Sequence, residues 1–228
     1  MLIEVSTMPL SRRSLIAAAA AAPSALLLPP LSAQAAATNP AATNGTAPNG
    51  AAANPAFGLR TLGDPKAKVH VIEYFSLTCT HCADFANNTM SDVESKLIKP
   101  GTVYWIFRDF PLDRVALTAA MVARSLPPDR YAPFIFALFA SQDRWAFAPG
   151  VNSTAELGKL AALDGMSEAD FKAAINDTAL QNFILAEQRG AEEKYHVDST
   201  PTFIINGHPH AGEMPYADFA KLIAAAGG

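Results

Sequence analysis

The sequence predicts an α/β domain in which a βαβ unit, an all-helical insertion, a β hairpin and a closing helix follow one another. Three observations carry this. A β-rich apolar run at 69–75 and a second at 103–107 flank a stretch of helical periodicity, the pattern of strand, crossover helix and parallel strand. The middle of the chain, about 112–195, reads as helices. Residues 202–205 then form a strand-like run that enters Asn206-Gly207, a strong hairpin-turn signal.

A chain of 228 residues suits one domain with a real core, and its formal charge of -4 argues against a nucleic-acid footprint. Two cysteines separated by two residues cannot staple distant segments together, so stability must come from packing.

Residues 1–35 have the layout of an export signal. Ser11-Arg12-Arg13-Ser14-Leu15-Ile16 resembles the twin-arginine signature, residues 15–28 are mildly apolar, and Ala33-Gln34-Ala35 fits a small-residue cleavage site. An ordinary Sec signal and a retained anchor are the alternatives, but 14 apolar residues are too few to span about 30 Å of hydrocarbon. Residues 36–58, rich in Ala, Asn, Thr and Pro, read as a flexible linker. The linker lacks the heptads of an oligomerising stalk, so a monomer is expected.

The folded domain is expected over 59–228. Gly63-Asp64-Pro65 marks a turn, and 69–75 is a buried-type strand. After the cysteines, Ala86, Met90, Val93 and Leu97 recur at helical spacing until Pro100-Gly101 ends the pattern. Helices are expected at 112–125, 129–140, 154–163, 167–175 and 178–195, with capping boxes at Ser153/Glu156 and Ser167/Asp170. Phe134, Phe136, Phe139 and Trp145 weigh as core rather than as a ligand groove. Pro215 opens a final helix with Tyr216, Phe219, Leu222 and Ile223 on one face.

The candidate chemistry lies in Cys79-Thr80-His81-Cys82, where strand gives way to helix. Unpaired N–H groups and the macrodipole at a helix start favour a thiolate at Cys79. Cys82, one turn further in, is expected to be more buried and to resolve a mixed disulfide. His81 can add a donor or a positive charge beside the Cys79 sulfur. A metal site is the main alternative, but a structural zinc needs four ligands and no second Cys or His pair stands at ligand spacing. Neither a metal nor another cofactor is expected. Glu73, in an apolar strand, costs stability unless it is paired or protonated. With a raised pKa it can take the Cys82 proton; the alternative is an edge glutamate facing water.

With these residues in view, the sequence over about 59–228 resembles the thioredoxin fold, a central mixed sheet flanked by helices, and more closely its DsbA-type thiol:disulfide oxidoreductases. The resemblance rests on Glu73-Tyr74-Phe75-Ser76-Leu77-Thr78-Cys79-Thr80-His81-Cys82, on Phe107-Arg108-Asp109-Phe110-Pro111-Leu112, and on Ser199-Thr200-Pro201-Thr202-Phe203. It implies a redox-active Cys79–Cys82 disulfide and a cis-proline at Pro201 beside it. Thr200 would then offer its backbone to a substrate chain and its side chain to the sulfurs. The implied function is a periplasmic dithiol oxidase acting on unfolded or reduced cell-envelope proteins and reoxidised by a membrane DsbB-type quinone-linked oxidase. Thr80 stands where the oxidase prototype has proline, and a threonine before the cis-proline also occurs among isomerases. Those departures keep open a reductase or isomerase held reduced by a membrane donor. A chaperone-like binding module is a third reading.

Overall fold

The computed structural model describes residues 54–227. The predicted export signal and most of the predicted linker lie outside the described residues.

Five strands form one mixed sheet in the order β1-β3-β2-β4-β5. The strands are β1 (Arg60–Leu62), β2 (Val69–Phe75), β3 (Val103–Asp109), β4 (Thr202–Ile205) and β5 (His208–Ala211). Strands β2 and β3 run parallel, as the crossover requires. The pairs β1/β3, β2/β4 and β4/β5 are antiparallel. The central place of β2 explains its apolar composition, because both edges are paired and most of its side chains are covered. The short strand β1 was not legible, since three residues give no alternation to read.

The residues between β2 and β3 form a broken helix rather than one continuous one. Helix α1 (Thr80–Asn88) bends at Thr89 into α2 (Met90–Val93), and a π-helical turn at Glu94–Ile98 follows. The Thr89 hydroxyl donates to the Met214 carbonyl at 3.2 Å, an outside bond of the kind that accompanies a bend.

The insertion comprises α3 (Arg114–Ser125), α4 (Pro128–Ala140), α5 (Gln142–Trp145), α6 (Ser153–Leu163), α7 (Glu168–Ile175) and α8 (Thr178–Tyr195); α9 (Tyr216–Ala225) closes the fold. Ser167 caps α7 as expected, its Oγ accepting from Asp170 N–H at 3.1 Å. The other capping assignment needs correction: Asn152, not Ser153, caps α6, with Oδ1 accepting from Ala155 N–H. The amide of Asn152 competes successfully for the N-cap that Ser153 also fits. At the β4–β5 turn, Asn206 and Gly207 both take positive φ, as a type I′ hairpin demands.

The main core lies on one face of the sheet. Phe85 of α1, Trp105 and Phe107 of β3, Phe203 of β4 and Phe219 of α9 meet there, with ring centroids 4.6 to 6.3 Å apart in the contacts they share. Phe134, Phe139 and Trp145 are buried and Phe136 is partly buried against the same core, so these aromatics pack rather than line a groove.

The folded region begins before residue 59, which corrects the linker boundary. Pro55–Phe57 form a 3-10 turn capped by Asn54, and the Phe57 ring packs edge-on against Phe183 of α8 at 5.2 Å. Arg124 of α3, almost wholly buried, donates to the carbonyls of Ala56 and Gly58 at 3.0 and 3.2 Å. Its Nε binds Asp109, whose other oxygen accepts from Tyr131 at 3.0 Å. The Phe107-Arg108-Asp109-Phe110 block thus supplies the buried carboxylate that ties the end of β3 to α3, α4 and the 3-10 turn.

Candidate redox site

Cys79 is the N-cap of α1, with extended backbone angles, and Cys82 lies in the first turn. The loop before them is tightly tied. Cys79 N–H donates to the Ser76 carbonyl at 3.1 Å, and the Cys79 carbonyl accepts from Ala83 N–H at 3.1 Å. Both cysteines are thiols and both are buried, Cys82 completely and Cys79 with 8% of its surface exposed.

The two thiols differ sharply in acidity. That of Cys79 is lowered to about 5, first by a hydrogen bond from the Cys82 thiol. The Thr200 side chain and the backbone N–H groups of Cys82 and His81 act in the same direction, against the cost of burial. The Cys82 thiol is pushed well up, first by burial, then by its bond to Cys79 and by the negative charges of Cys79 and Glu73. One sulfur of the pair is therefore a thiolate at neutral pH and the other keeps its proton.

The Thr200–Pro201 peptide bond is cis, and the loop that carries it faces Cys79. The Cys79 sulfur lies 3.2 Å from the Thr200 carbonyl oxygen, to which it donates only while protonated. Gly212 N–H holds the Pro201 carbonyl at 2.8 Å, and the Thr202 hydroxyl holds that of Ser199 at 2.8 Å. The buried Thr200 hydroxyl has no hydrogen-bond partner of ordinary geometry among the described residues.

Glu73 sits on the central strand, 4% exposed, and not on a water-facing edge. Burial pushes its carboxyl up to about 8, only partly offset by the Trp105 indole, which donates to Oε2 at 3.2 Å. When ionised, Glu73 adds to the rise at Cys82.

His81 gives Cys79 a donor from its backbone and turns its side chain to a carboxylate. Its imidazole is largely exposed, with Nδ1 2.5 Å from Glu213 Oε2, and its contribution to Cys79 comes through its backbone N–H. His81, Asp84 and Glu213 bring ligand-type atoms within 4.8 Å of one another. All three are exposed, and exposed acidic groups commonly cluster in this way without an ion.

Three participants carried no sequence signal. Gln142 donates through Nε2 to the carbonyls of Leu77 and Cys79, Asp113 accepts from the Thr78 hydroxyl at 2.7 Å, and Trp105 binds Glu73. Each lies more than 30 positions from its partner, beyond any local motif. A glutamine in a helix or an aspartate before one reads as surface or cap.

A family model described as thioredoxin matches residues 58–225. The crystal structure of Wolbachia pipientis alpha-DsbA1 superposes with a TM-score of 0.68 at 33% identity, over 74% of this chain and 90% of that one. The chain belongs to the thioredoxin family, among its DsbA-type members. A protein-disulfide isomerase from Novosphingobium aromaticivorans superposes with a TM-score of 0.65 at 25% identity, over 74% of this chain and 96% of that one. A Rickettsia conorii protein named as a protein-disulfide oxidoreductase is 28% identical over 148 residues, 64% of this chain and 52% of that protein. The chain thus spans about half the length of the Rickettsia relatives it matches.

Proposed function

We propose that this chain is a protein thiol:disulfide oxidoreductase working as a dithiol oxidase on unfolded or reduced proteins of the cell envelope. The observation that carries this reading is the split between the two thiols, Cys79 lowered to about 5 and Cys82 raised. A stabilised thiolate stabilises the reduced pair, and so makes the disulfide a stronger oxidant.

In the oxidised enzyme a client thiolate attacks the Cys79 sulfur. The Cys79–Cys82 bond breaks and Cys82 departs with its electron pair, a poor leaving group unless it is protonated. Glu73, whose value of about 8 keeps most of it protonated at neutral pH, supplies that proton. A second client thiolate then attacks the client sulfur of the mixed disulfide, and Cys79 leaves as its stable thiolate. Two electrons pass from the client to the pair, and the client gains one disulfide. Thr200 and Pro201 form the surface against which the client chain is laid beside Cys79.

Turnover requires a two-electron acceptor, which we assign to a membrane DsbB-type quinone-linked oxidase. The export-type layout of residues 1–35 supports a periplasmic site for the reaction. A reductase or isomerase is the second reading, favoured by the threonine at position 200 and by the likeness to the Novosphingobium isomerase. The deciding measurement is the redox state of the pair in cells, together with its equilibrium against glutathione. A pair that is oxidised at steady state supports the oxidase, and a reduced one overturns it. Loss of biological activity in the Cys79→Ser, Cys82→Ser double variant excludes the chaperone-like module; retained activity would favour it.

A further inference from the structure

Each of the four residues between β2 and α1 is held by the helical insertion or the segment leading into it. The Ser76 hydroxyl accepts from Leu112 N–H at 3.3 Å. Leu77 and Cys79 offer their carbonyls to Gln142 at 2.9 and 3.1 Å. The Thr78 hydroxyl donates to Asp113 at 2.7 Å, and Asp113 also caps α3 through Ala116 N–H at 2.8 Å.

Among these, Gln142 stands out because it touches the cysteine itself. It is the first residue of α5, 5% exposed, and its amide nitrogen bridges two carbonyls 63 and 65 positions away. The Cys79 carbonyl it binds is the one that closes the first turn of α1 through Ala83 N–H. A carboxamide has two donor hydrogens, so both bonds can be made at once, without introducing a charge beside the thiols. We propose that Gln142 is a positioning residue of the redox pair: by holding the Leu77 and Cys79 carbonyls it fixes where α1 starts relative to the Cys79 sulfur. This rests on the reading of the pair as a thiol-exchange centre.

The consequence follows from the donors at the sulfur. The backbone N–H groups of His81 and Cys82 favour the thiolate only while the first turn is aligned with it. Without the amide, the Leu77 carbonyl loses a buried partner and the loop can shift. Nothing in the chain order marks Gln142, because its partners lie across the fold.

The test uses the reduced full-length chain and Gln142→Met, which keeps a side chain of similar length and lacks the amide. The ultraviolet thiolate absorbance is followed against pH, and the glutathione equilibrium is measured alongside. The expected result is a Cys79 midpoint raised by about one unit and a glutathione equilibrium moved about tenfold towards the disulfide. A lower melting temperature with both readings equal to the parent's overturns the proposal, because a merely structural amide moves only stability. If Gln142→Met does not fold, Gln142→Asn, one methylene short, should give a smaller shift in the same direction, and parental values there overturn the proposal equally. The titration needs no turnover. Failure of the parent to exchange disulfides would therefore sink the oxidoreductase reading while leaving the Gln142 result to stand on its own.

Discussion

The indole of Trp105 donates to Glu73 Oε2 at 3.2 Å between the two parallel central strands. This is one neutral hydrogen bond against the full cost of burying a carboxylate, and burial wins, with the carboxyl at about 8. Glu73 therefore holds a proton close to the pair at the pH where thiol exchange runs.

Replacing Glu73 with Gln keeps an acceptor for Trp105 and removes the titration. Mixed-disulfide formation, the step in which Cys82 leaves, should slow, while release, in which Cys79 leaves as its own thiolate, proceeds at the parent's rate, as read by acid-quenched intermediates. Unchanged turnover would remove Glu73 from the proton path.

The same group sets a pH dependence of stability. Its folded value is raised from 4.5 to about 8, so its stabilising contribution is complete below 4.5 and is lost as pH rises through 8. In the oxidised protein, where Cys79 carries no titrating proton, Glu73→Gln should match the parent at about pH 4 and exceed it by on the order of 4 kcal/mol at about pH 8. Urea midpoints at the two pH values measure the difference.

Alkylation should separate the two thiols. With Cys79 at about 5 and Cys82 raised, a limiting dose of iodoacetamide at about pH 6 should label Cys79 and spare Cys82. Peptide mass analysis reads the site, and equal labelling would contradict the split. In Cys82→Ser, the Cys79 thiolate that attacks a client disulfide should be held as the mixed disulfide, because no second thiol of the chain can displace the client.

Arg124 pairs with Asp109 in the core, at 1% and 3% side-chain exposure. Arg124→Met leaves that carboxylate with Tyr131 alone and should cost about 3–5 kcal/mol by urea unfolding. Starting the chain at residue 59 removes the Ala56 and Gly58 carbonyls that Arg124 also uses. It should cost about 1–3 kcal/mol. Neither change should move the Cys79 titration.

Gly63 takes φ +90, and an added Cβ would come within 2.6 Å of the Val103 carbonyl oxygen. Gly63→Ala should therefore destabilise by more than about 1 kcal/mol. A melting temperature equal to the parent's would show that the turn relaxes.

Much of this was legible because the signals are local. The apolar runs of β2 and β3, the Asn206-Gly207 turn and the periodicity of α8 each follow from neighbouring residues and their backbone preferences. Helix ends depend on single caps, so a Ser153 that suits the N-cap by type yields it to the neighbouring Asn152. The turn at Pro55–Phe57 was hidden by its linker-like composition, because its order comes from Arg124 and Phe183 rather than from its own residues.

By itself the sequence determined the strand and helix order, the pair Cys79 and Cys82 as the only thiols, and the start of a helix at the first of them. Only the tertiary structure decided the electrostatics around that pair. It turned the His81 imidazole towards Glu213, buried Glu73 on the central strand, and brought Thr200 to the sulfur and Gln142 to the carbonyl of Cys79. The reason is physical: burial and hydrogen-bond partners set a group's acidity, and both are supplied by residues remote in the chain, whereas secondary structure is written largely in neighbours.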